Sequence, residues 1–397
     1  MRSHSWSVFG ALLAFLIAPL QGGADEGPLS PIVVTPVPQQ RIVPVLGSDN
    51  RYHVLYELQL TNTLGEAAEL RQVDILDTAS GKTLLKLDSK GIVAGEYLHT
   101  LDRQTTTSVS FAPFQGRVLI LNLAFDKQDA IPRAPTHRLG VSGLEPFNKK
   151  PIGFVYDGGA VAISGDAPPV LLPPLEGEGW LVSDGCCGPT GHINALVGLN
   201  GQIQGSERFA IDWIKIDEEG RIFAGDKTKL ESWVGYGAKV LAVAPGLVTA
   251  SRDDQEDQKP GTMPDDLSFA ELPGNYVMIA LDGGLTAVYA HLKPGSVKVK
   301  AGDKVKAGEV IGLLGNTGGS LAPHLHFHIV NGPEGAASDG YPYVLRSFAL
   351  AGTAETEGLG AALDGKPGFP RRDAMQPEAR ERELPLNFTI VDFPVGE

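Results

Sequence analysis

Apolar residues in this chain come in short runs that glycine and proline interrupt. There are 49 Gly and 29 Pro in 397 residues, which leaves little uninterrupted sequence for long helices. Several runs alternate, as in Val54, Tyr56 and Leu58, with Glu57 on the opposite face. Alternation with a period of two is typical of a strand with one buried face. The sequence therefore predicts a mostly β protein.

The composition excludes several classes of protein. With 42% hydrophobic residues the chain can bury a large core, which excludes a disordered protein. Its 33 Lys and Arg against 47 Asp and Glu give a net charge of −14, so we expect no nucleic-acid partner. The two cysteines, Cys186 and Cys187, are adjacent, which excludes a disulfide scaffold and leaves open whether they pair or stay free.

The N-terminus has the pattern of a secretory signal peptide. Arg2 precedes an apolar run over residues 8–20, and small residues follow up to Ala24. The run is shorter than the roughly 20 residues that span a bilayer. We therefore expect residues 1–24 to be a cleaved signal peptide, and a mature chain without a membrane span in the periplasm or outside the cell. A buried N-terminal helix is the alternative.

The remaining chain is predicted to form two β domains. Alternating runs over residues 30–145 favour an immunoglobulin-like β-sandwich, to which a protein partner could bind. Its histidines, His53, His99 and His137, stand among polar neighbours and are expected at surface or turn positions. A Pro-rich linker is placed at 146–179, a second β domain at 180–350 with an exposed acidic loop over 251–268, and a tail with one further strand at 351–397.

Three of the nine histidines fall within residues 323–329. On a strand, His324, His326 and His328 share one face, and the apolar residues between them share the other. The apolar face anchors the strand, and the histidines face a groove. Because imidazole is the commonest metal ligand, the pattern indicates a metal site, with a His-rich polar surface as the alternative.

Six segments occur in the order found in one known family. They are AIDW at 210–213, GAKVLAVAPGLV at 237–248, GNYV at 274–277, YAHL at 289–292, the glycine-rich stretch 297–318 and APHLHF at 322–327. In these segments the chain resembles the lysostaphin/LytM-type zinc metallopeptidases, which cleave peptidoglycan peptides. The resemblance covers about residues 180–350. It implies a LytM-type antiparallel β-sheet peptidase domain that binds one Zn²⁺ per chain.

The resemblance also implies roles for individual residues. Asp212 and His326 match zinc ligands, and His291 and His324 match the catalytic pair beside a metal-activated water. Where the family has a His four residues before the ligand aspartate, this chain has Arg208, which cannot ligate a metal because it stays protonated.

A substitute for the missing ligand lies upstream. The Asn200-Gly201 pair predicts a two-residue hairpin turn, and in that hairpin His192 falls opposite Phe209. We therefore expect His192 to be the third zinc ligand, with a polar loop residue as the alternative. Arg208 is expected to bind a substrate carboxylate, or else to form a structural ion pair.

These features predict an exported zinc-dependent endopeptidase that hydrolyses peptide bonds in peptidoglycan cross-links or similar short peptides. The substitution at Arg208 makes a metal-free LytM-like module, which binds and regulates other cell-wall hydrolases, the alternative. A third interpretation is a peptidoglycan-binding protein in which the sandwich does the work, and residues 180–350 would then be dispensable.

Overall fold

The computed structural model describes residues 29–37, 42–188, 191–371 and 374–395. The signal peptide expected at residues 1–24 lies outside them. The described chain is built mainly from strands, which confirms the predicted class. Within the described ranges, none of the helices has both the length and the apolar composition needed to cross a membrane.

The first ten strands form two antiparallel sheets. They are β1 (Ile32–Pro36), β2 (Val45–Leu46), β3 (Tyr52–Asn62), β4 (Ala68–Asp77), β5 (Thr83–Asp88), β6 (Leu98–Thr100), β7 (Ser110–Phe111), β8 (Gly116–Phe125), β9 (Pro135–Leu144) and β10 (Pro151–Gly158). The first sheet has the order β1-β3-β8-β6, with β2 beside β3, and the second has the order β10-β9-β4-β5, with β7 beside β4. Helix α1 (Ser89–Ala94) follows β5, and the Asp88 carboxylate caps it by accepting from the Gly91 N–H.

The two sheets share one apolar core. On β3 the alternation predicted from the sequence puts Val54, Tyr56 and Leu58 into this core, together with Leu119 and Leu121 of β8. The opposite face of the same sheet is also buried, because it packs against the second half of the chain. The immunoglobulin-like assignment of these sheets stays a prediction.

The second half of the chain forms an eleven-stranded sheet and two small ones. Its strands are β11 (Val170–Leu171), β12 (Gly177–Asp184), β13 (Val197–Leu199), β14 (Gln202–Gln204), β15 (Ile211–Lys215), β16 (Lys239–Leu241), β17 (Gly246–Arg252), β18 (Asn275–Ala280), β19 (Thr286–Leu292), β20 (Lys304–Val305), β21 (Val310–Leu313), β22 (Leu325–Val330), β23 (Val344–Thr353), β24 (Glu378–Glu383) and β25 (Thr389–Phe393). The large sheet has the order β11-β23-β25-β12-β15-β22-β19-β18-β17-β20, with β24 beside β23. The pairs β13-β14 and β16-β21 stand apart, and helix α2 (Thr356–Leu363) follows β23.

Strands of the sheets lie in two segments that the sequence predicts to be a linker and a tail. Strand β10 lies within 146–179, where a linker is predicted, because its Phe154 and Tyr156 fill the core between the first two sheets. The large sheet continues past residue 350, since β25 pairs with both β12 and β23. The tail thus carries β24, β25 and α2. The division into domains stays a prediction.

The expected surface position of three histidines is wrong. His53, His99 and His137 are 5%, 3% and 0% exposed. The ring of His137 lies between the two N-terminal sheets, where its Nε2 is 2.8 Å from Tyr56 Oη and its Nδ1 is 2.8 Å from the Gly159 carbonyl. Both nitrogens of the neutral His137 ring thus have hydrogen-bond partners, so burial of the ring leaves no polar atom unpaired.

Candidate active site

Three neighbouring strands bring acidic and histidine side chains into one row. Strand β12 places Asp184 opposite Asp212 of β15, and β15 places Asp212 opposite His326 of β22. Residues that lie directly opposite in an antiparallel pair project from the same face. The Oδ1 of Asp212 therefore lies 2.9 Å from the Nδ1 of His326.

His192 reaches this row from the loop before β13. Its Nε2 lies 3.4 Å from Asp212 Oδ1. Its Nδ1 lies 3.3 Å from the carbonyl oxygen of Ala210 and 3.5 Å from Asp184 Oδ1. The Nε2 atom therefore faces Asp212, while Nδ1 faces two acceptors that can fix the orientation of the ring.

The predicted hairpin is present but shorter than expected. Asn200 and Gly201 form its turn with positive φ angles of 52° and 78°, and β13 pairs with β14 from Val197–Gln204 inward. The ladder ends before His192, so a loop rather than strand pairing with Phe209 brings the imidazole to the site. Within this loop Cys186 and Cys187 form a disulfide, the pairing that the sequence left open.

The donor set fits a zinc ion. His192, Asp212 and His326 each offer a ligand atom, and these atoms lie within 4.8 Å of one another. All three side chains are largely buried, with exposed fractions of 10%, 21% and 8%. Two imidazoles and one carboxylate that leave a coordination position open are a donor set typical of catalytic zinc.

The charges of the site are strongly coupled. Burial opposes ionisation of Asp212, but His192 and His324 outweigh it and hold the pKa of this carboxyl well below its usual range. Burial also favours neutral His192, yet the charge of Asp212 outweighs it and raises the pKa of His192 to about 10. A cation that binds here therefore competes with a proton on His192.

Two further histidines border the row. The rings of His291 and His324 lie 4.6 Å apart, and that of His291 lies 5.8 Å from the ring of His326. His291 Nδ1 donates to the Thr317 carbonyl at 2.7 Å, and His324 Nδ1 donates to the Ala322 carbonyl at 2.7 Å. Because a carbonyl can only accept, each Nδ1 carries a hydrogen and each neutral ring keeps Nε2 as its basic atom. His324 Nε2 lies 3.5 Å from Asp212 Oδ1.

A buried polar network holds the segment that carries His324. Ser320 Oγ lies 3.2 Å from His324 Nδ1 and 2.7 Å from Asn316 Oδ1. The backbone N–H of Asn316 donates to Asp257 in the loop after β17. Asn316 and Ser320 are both fully buried. The acidic loop expected from the sequence is therefore connected to His324 through Asn316 and Ser320.

The substrate-binding role expected for Arg208 does not fit its position. Its side chain is 1% exposed, and its Nε and Nη2 each donate to a carboxylate oxygen of Glu57 at 2.8 Å. Its Nη1 donates to the Gly340 carbonyl at 3.3 Å. The guanidinium is thus buried and bonded to Glu57 and Gly340, and the structural ion pair, the alternative considered for this residue, is what forms.

Three residues near the site were missed or only noted in the sequence. Asp184 ends an apolar strand and could have been suspected for the same reason as Asp212. His328 lies on the strand face that the sequence predicts to carry the histidines, and its Nδ1 is 2.9 Å from His326 Nε2. Glu57 gave no signal, because a single acidic residue on an alternating strand is typical of a solvated face.

Sequence comparison identifies the family of this region. Residues 231–339 match the model described as Peptidase family M23. Residues 231–339 form an M23 peptidase domain. The matched segment contains His291, His324 and His326, whereas His192 and Asp212 precede it.

Relatives of the M23 domain share short but clear similarity with this chain. The peptidoglycan DD-endopeptidase ShyC of Vibrio cholerae is 42% identical over 66 residues, which are 16% of this chain and 15% of that protein. Lysostaphin of Staphylococcus simulans is 46% identical over 74 residues, 18% of this chain and 15% of that protein. The chain thus matches only about 15% of the length of these relatives.

Among solved structures, the catalytic domain of lysostaphin from Staphylococcus simulans aligns with 41% of this chain and 84% of its own. The identity is 23% and the TM-score is 0.22.

Proposed function

We propose that this protein is an exported zinc-dependent endopeptidase that hydrolyses peptide bonds in peptidoglycan cross-links. The observation that carries the proposal is the convergence of His192, Asp212 and His326 beside two histidines whose Nε2 atoms are basic. The M23 assignment and the peptidoglycan endopeptidase among the relatives support the substrate class.

His192, Asp212 and His326 would hold the metal. A bound Zn²⁺ would supply Lewis acidity that polarises the scissile carbonyl and makes water more acidic. Because these side chains are largely buried, their charge interactions are stronger than they would be in bulk water.

His291 and His324 would move the protons. The Nε2 of one ring accepts a proton from the attacking water, whose oxygen bonds to the carbonyl carbon. As the C–N bond breaks, a protonated Nε2 returns that proton to the departing amine nitrogen. A ring N–H can also donate to the carbonyl oxygen while it carries negative charge. The Thr317 and Ala322 carbonyls hold the two rings in the tautomer that this exchange needs.

The test combines metal analysis with hydrolysis. The full chain, stripped of metal and reconstituted with zinc, is expected to bind about one zinc and to cleave purified cross-linked muropeptides. Hydrolysis should stop on chelation and return with zinc. A chain that stays metal-free after reconstitution, and cleaves nothing, would contradict the proposal and favour the regulatory module instead.

A further inference from the structure

The outer face of the first N-terminal sheet is buried against the loops of the candidate active site. Its residues on β3 and β8, which we call the platform face, are Leu55, Glu57, Val118, Ile120 and Asn122. The apolar members share a core with Ile193 and Phe209 of the second half of the chain. The amide of Asn122 donates to the Cys187 carbonyl at 3.0 Å.

The platform face carries one charged residue, and it is fully buried. Glu57 has no exposed side-chain surface, and it accepts two parallel hydrogen bonds from Arg208 at 2.8 Å each. Bidentate pairs of this kind fix the relative orientation of both partners. Glu57 thus ties the N-terminal sheet to one point in the second half of the chain.

That point lies within the segment that presents the candidate metal ligands. Arg208 stands four residues before Asp212. The backbone of residues 205–208 lies close to the guanidinium. A Cβ atom added to Gly205 would be only 2.7 Å from Arg208 Nη2. The Gly340 carbonyl accepts from Nη1, and Asp339 lies 3.8 Å from Nη2. The position of the guanidinium therefore sets the path of the backbone that leads to Asp212.

The same contacts reach His192 from two sides. Ala210, two residues after Arg208, has its carbonyl 3.3 Å from His192 Nδ1. Ile193, next to His192, packs in the core that includes Leu55 and Ile120 of the platform face. A shift of the 205–210 segment relative to the N-terminal sheet would therefore change the distance between His192 and Asp212.

We propose that Glu57, through Arg208, is a positioning residue that sets the spacing of the metal ligands His192 and Asp212. The inference rests on the proposed zinc peptidase function. It assigns the N-terminal sheet a part in building the active site, where a separate binding module would leave that site unchanged. A role in stability alone would leave zinc affinity and ligand geometry unchanged in any variant that folds.

The test uses the full chain, one variant of the Glu57–Arg208 pair and one control variant. Glu57→Gln keeps the shape of the side chain but removes its charge and one acceptor. Asp157→Asn is the matched control, because Asp157 makes a similar bidentate pair with Arg138 at 2.8 and 2.9 Å on the exposed surface of β9 and β10. Zinc affinity is measured by chelator competition, and ligand geometry by the visible absorption of the Co²⁺-substituted protein.

Glu57→Gln is expected to weaken zinc binding about tenfold or more and to change the Co²⁺ spectrum, whereas Asp157→Asn leaves both as in the wild type. If Glu57→Gln does not fold, the double variant Glu57→Met/Arg208→Met replaces the buried pair with apolar side chains of similar size. The same loss of affinity is expected there. Wild-type affinity and spectrum in a folded variant would overturn the proposal, although zinc binding by the wild type would still support the function. A wild type that binds no zinc would overturn both.

Discussion

The proposed function gives the ligands Asp212 and His326 a different task from His291 and His324, and substitution can separate the two. His326→Ala or Asp212→Ala removes a ligand, so we expect the chain to lose its zinc. His291→Ala and His324→Ala remove only proton-transfer groups, so one zinc should remain while turnover falls roughly 10²-fold or more. Metal analysis and muropeptide hydrolysis on the same preparations check both. Loss of zinc in His291→Ala would contradict this division of roles.

His192 is the least expected of the proposed ligands and has its own test. We predict that His192→Ala weakens zinc binding by at least about tenfold, since two remaining protein ligands make a poor site. His137→Gln is the control, because His137 is a buried histidine whose ring lies between the two N-terminal sheets, away from the platform face. Arg208→Ala is not a suitable control, because it would leave Glu57 buried without its partner. Zinc titration showing wild-type affinity in His192→Ala would exclude residue 192 as a ligand.

His137 predicts how stability depends on pH. Burial lowers its pKa to about 4, against an ordinary value of 6.5. Below pH 6.5 the imidazole of His137 binds a proton in the unfolded chain but stays neutral in the folded chain. Stability is therefore lost as the pH falls from 6.5 to 4. The shift corresponds to about 3 kcal/mol. Urea unfolding at pH 7 and pH 4.5 should show a larger loss for the wild type than for His137→Gln, and equal losses would contradict the assignment.

Among the strands, β22 joins the core to the candidate active site. Phe327 is fully buried between His326 and His328, and its ring lies 5.0 Å from that of Tyr289 and 5.2 Å from that of Tyr343. We expect Phe327→Ala to lower the free energy of unfolding by about 3–5 kcal/mol, because it leaves a cavity beneath the histidines. Phe147→Ala, at a side chain that is 91% exposed, should change it by less than about 0.5 kcal/mol. Urea unfolding measures both, and similar values would contradict the packing argument.

The elements were predictable where the sequence pattern was local. Alternation of apolar and polar residues predicted which faces of β3 and β22 are apolar. The Asn200-Gly201 pair predicted the turn between β13 and β14. Strand β10 was missed because only Phe154 and Tyr156 among its residues are buried, and its other apolar side chains, Ile152 and Val155, are exposed. Its place in the second N-terminal sheet depends on pairing with β9, which is a tertiary contact.

For the whole molecule, the platform face predicts that the two halves depend on each other. A fragment over residues 164–397 would leave Arg208 without Glu57, and would expose Ile193 and Phe209 where Leu55 and Ile120 now cover them. We expect this fragment to melt at a lower temperature than the full chain and to aggregate, because it exposes a large apolar patch. Thermal unfolding followed by circular dichroism checks this. A fragment as stable as the full chain would show that contacts with the platform face do not stabilise the second half of the chain.

The sequence by itself determined the β class and the alternation within single strands. With the family resemblance it also determined the candidate residues His291, His324, His326 and Asp212. The class and the shared face of His324 and His326 follow from spacings of a few residues, which the backbone of a strand converts directly into shared faces. The choice of His291 and Asp212 follows from the resemblance. The tertiary structure decided the place of His192, the burial of His137 and the partner of Arg208. Each depends on which surface covers a side chain, and the covering residue can lie far away in the chain. The pair of Glu57 and Arg208, 151 residues apart, has no local signature, because an acidic residue on an alternating strand has the same pattern in solvent and beneath another sheet.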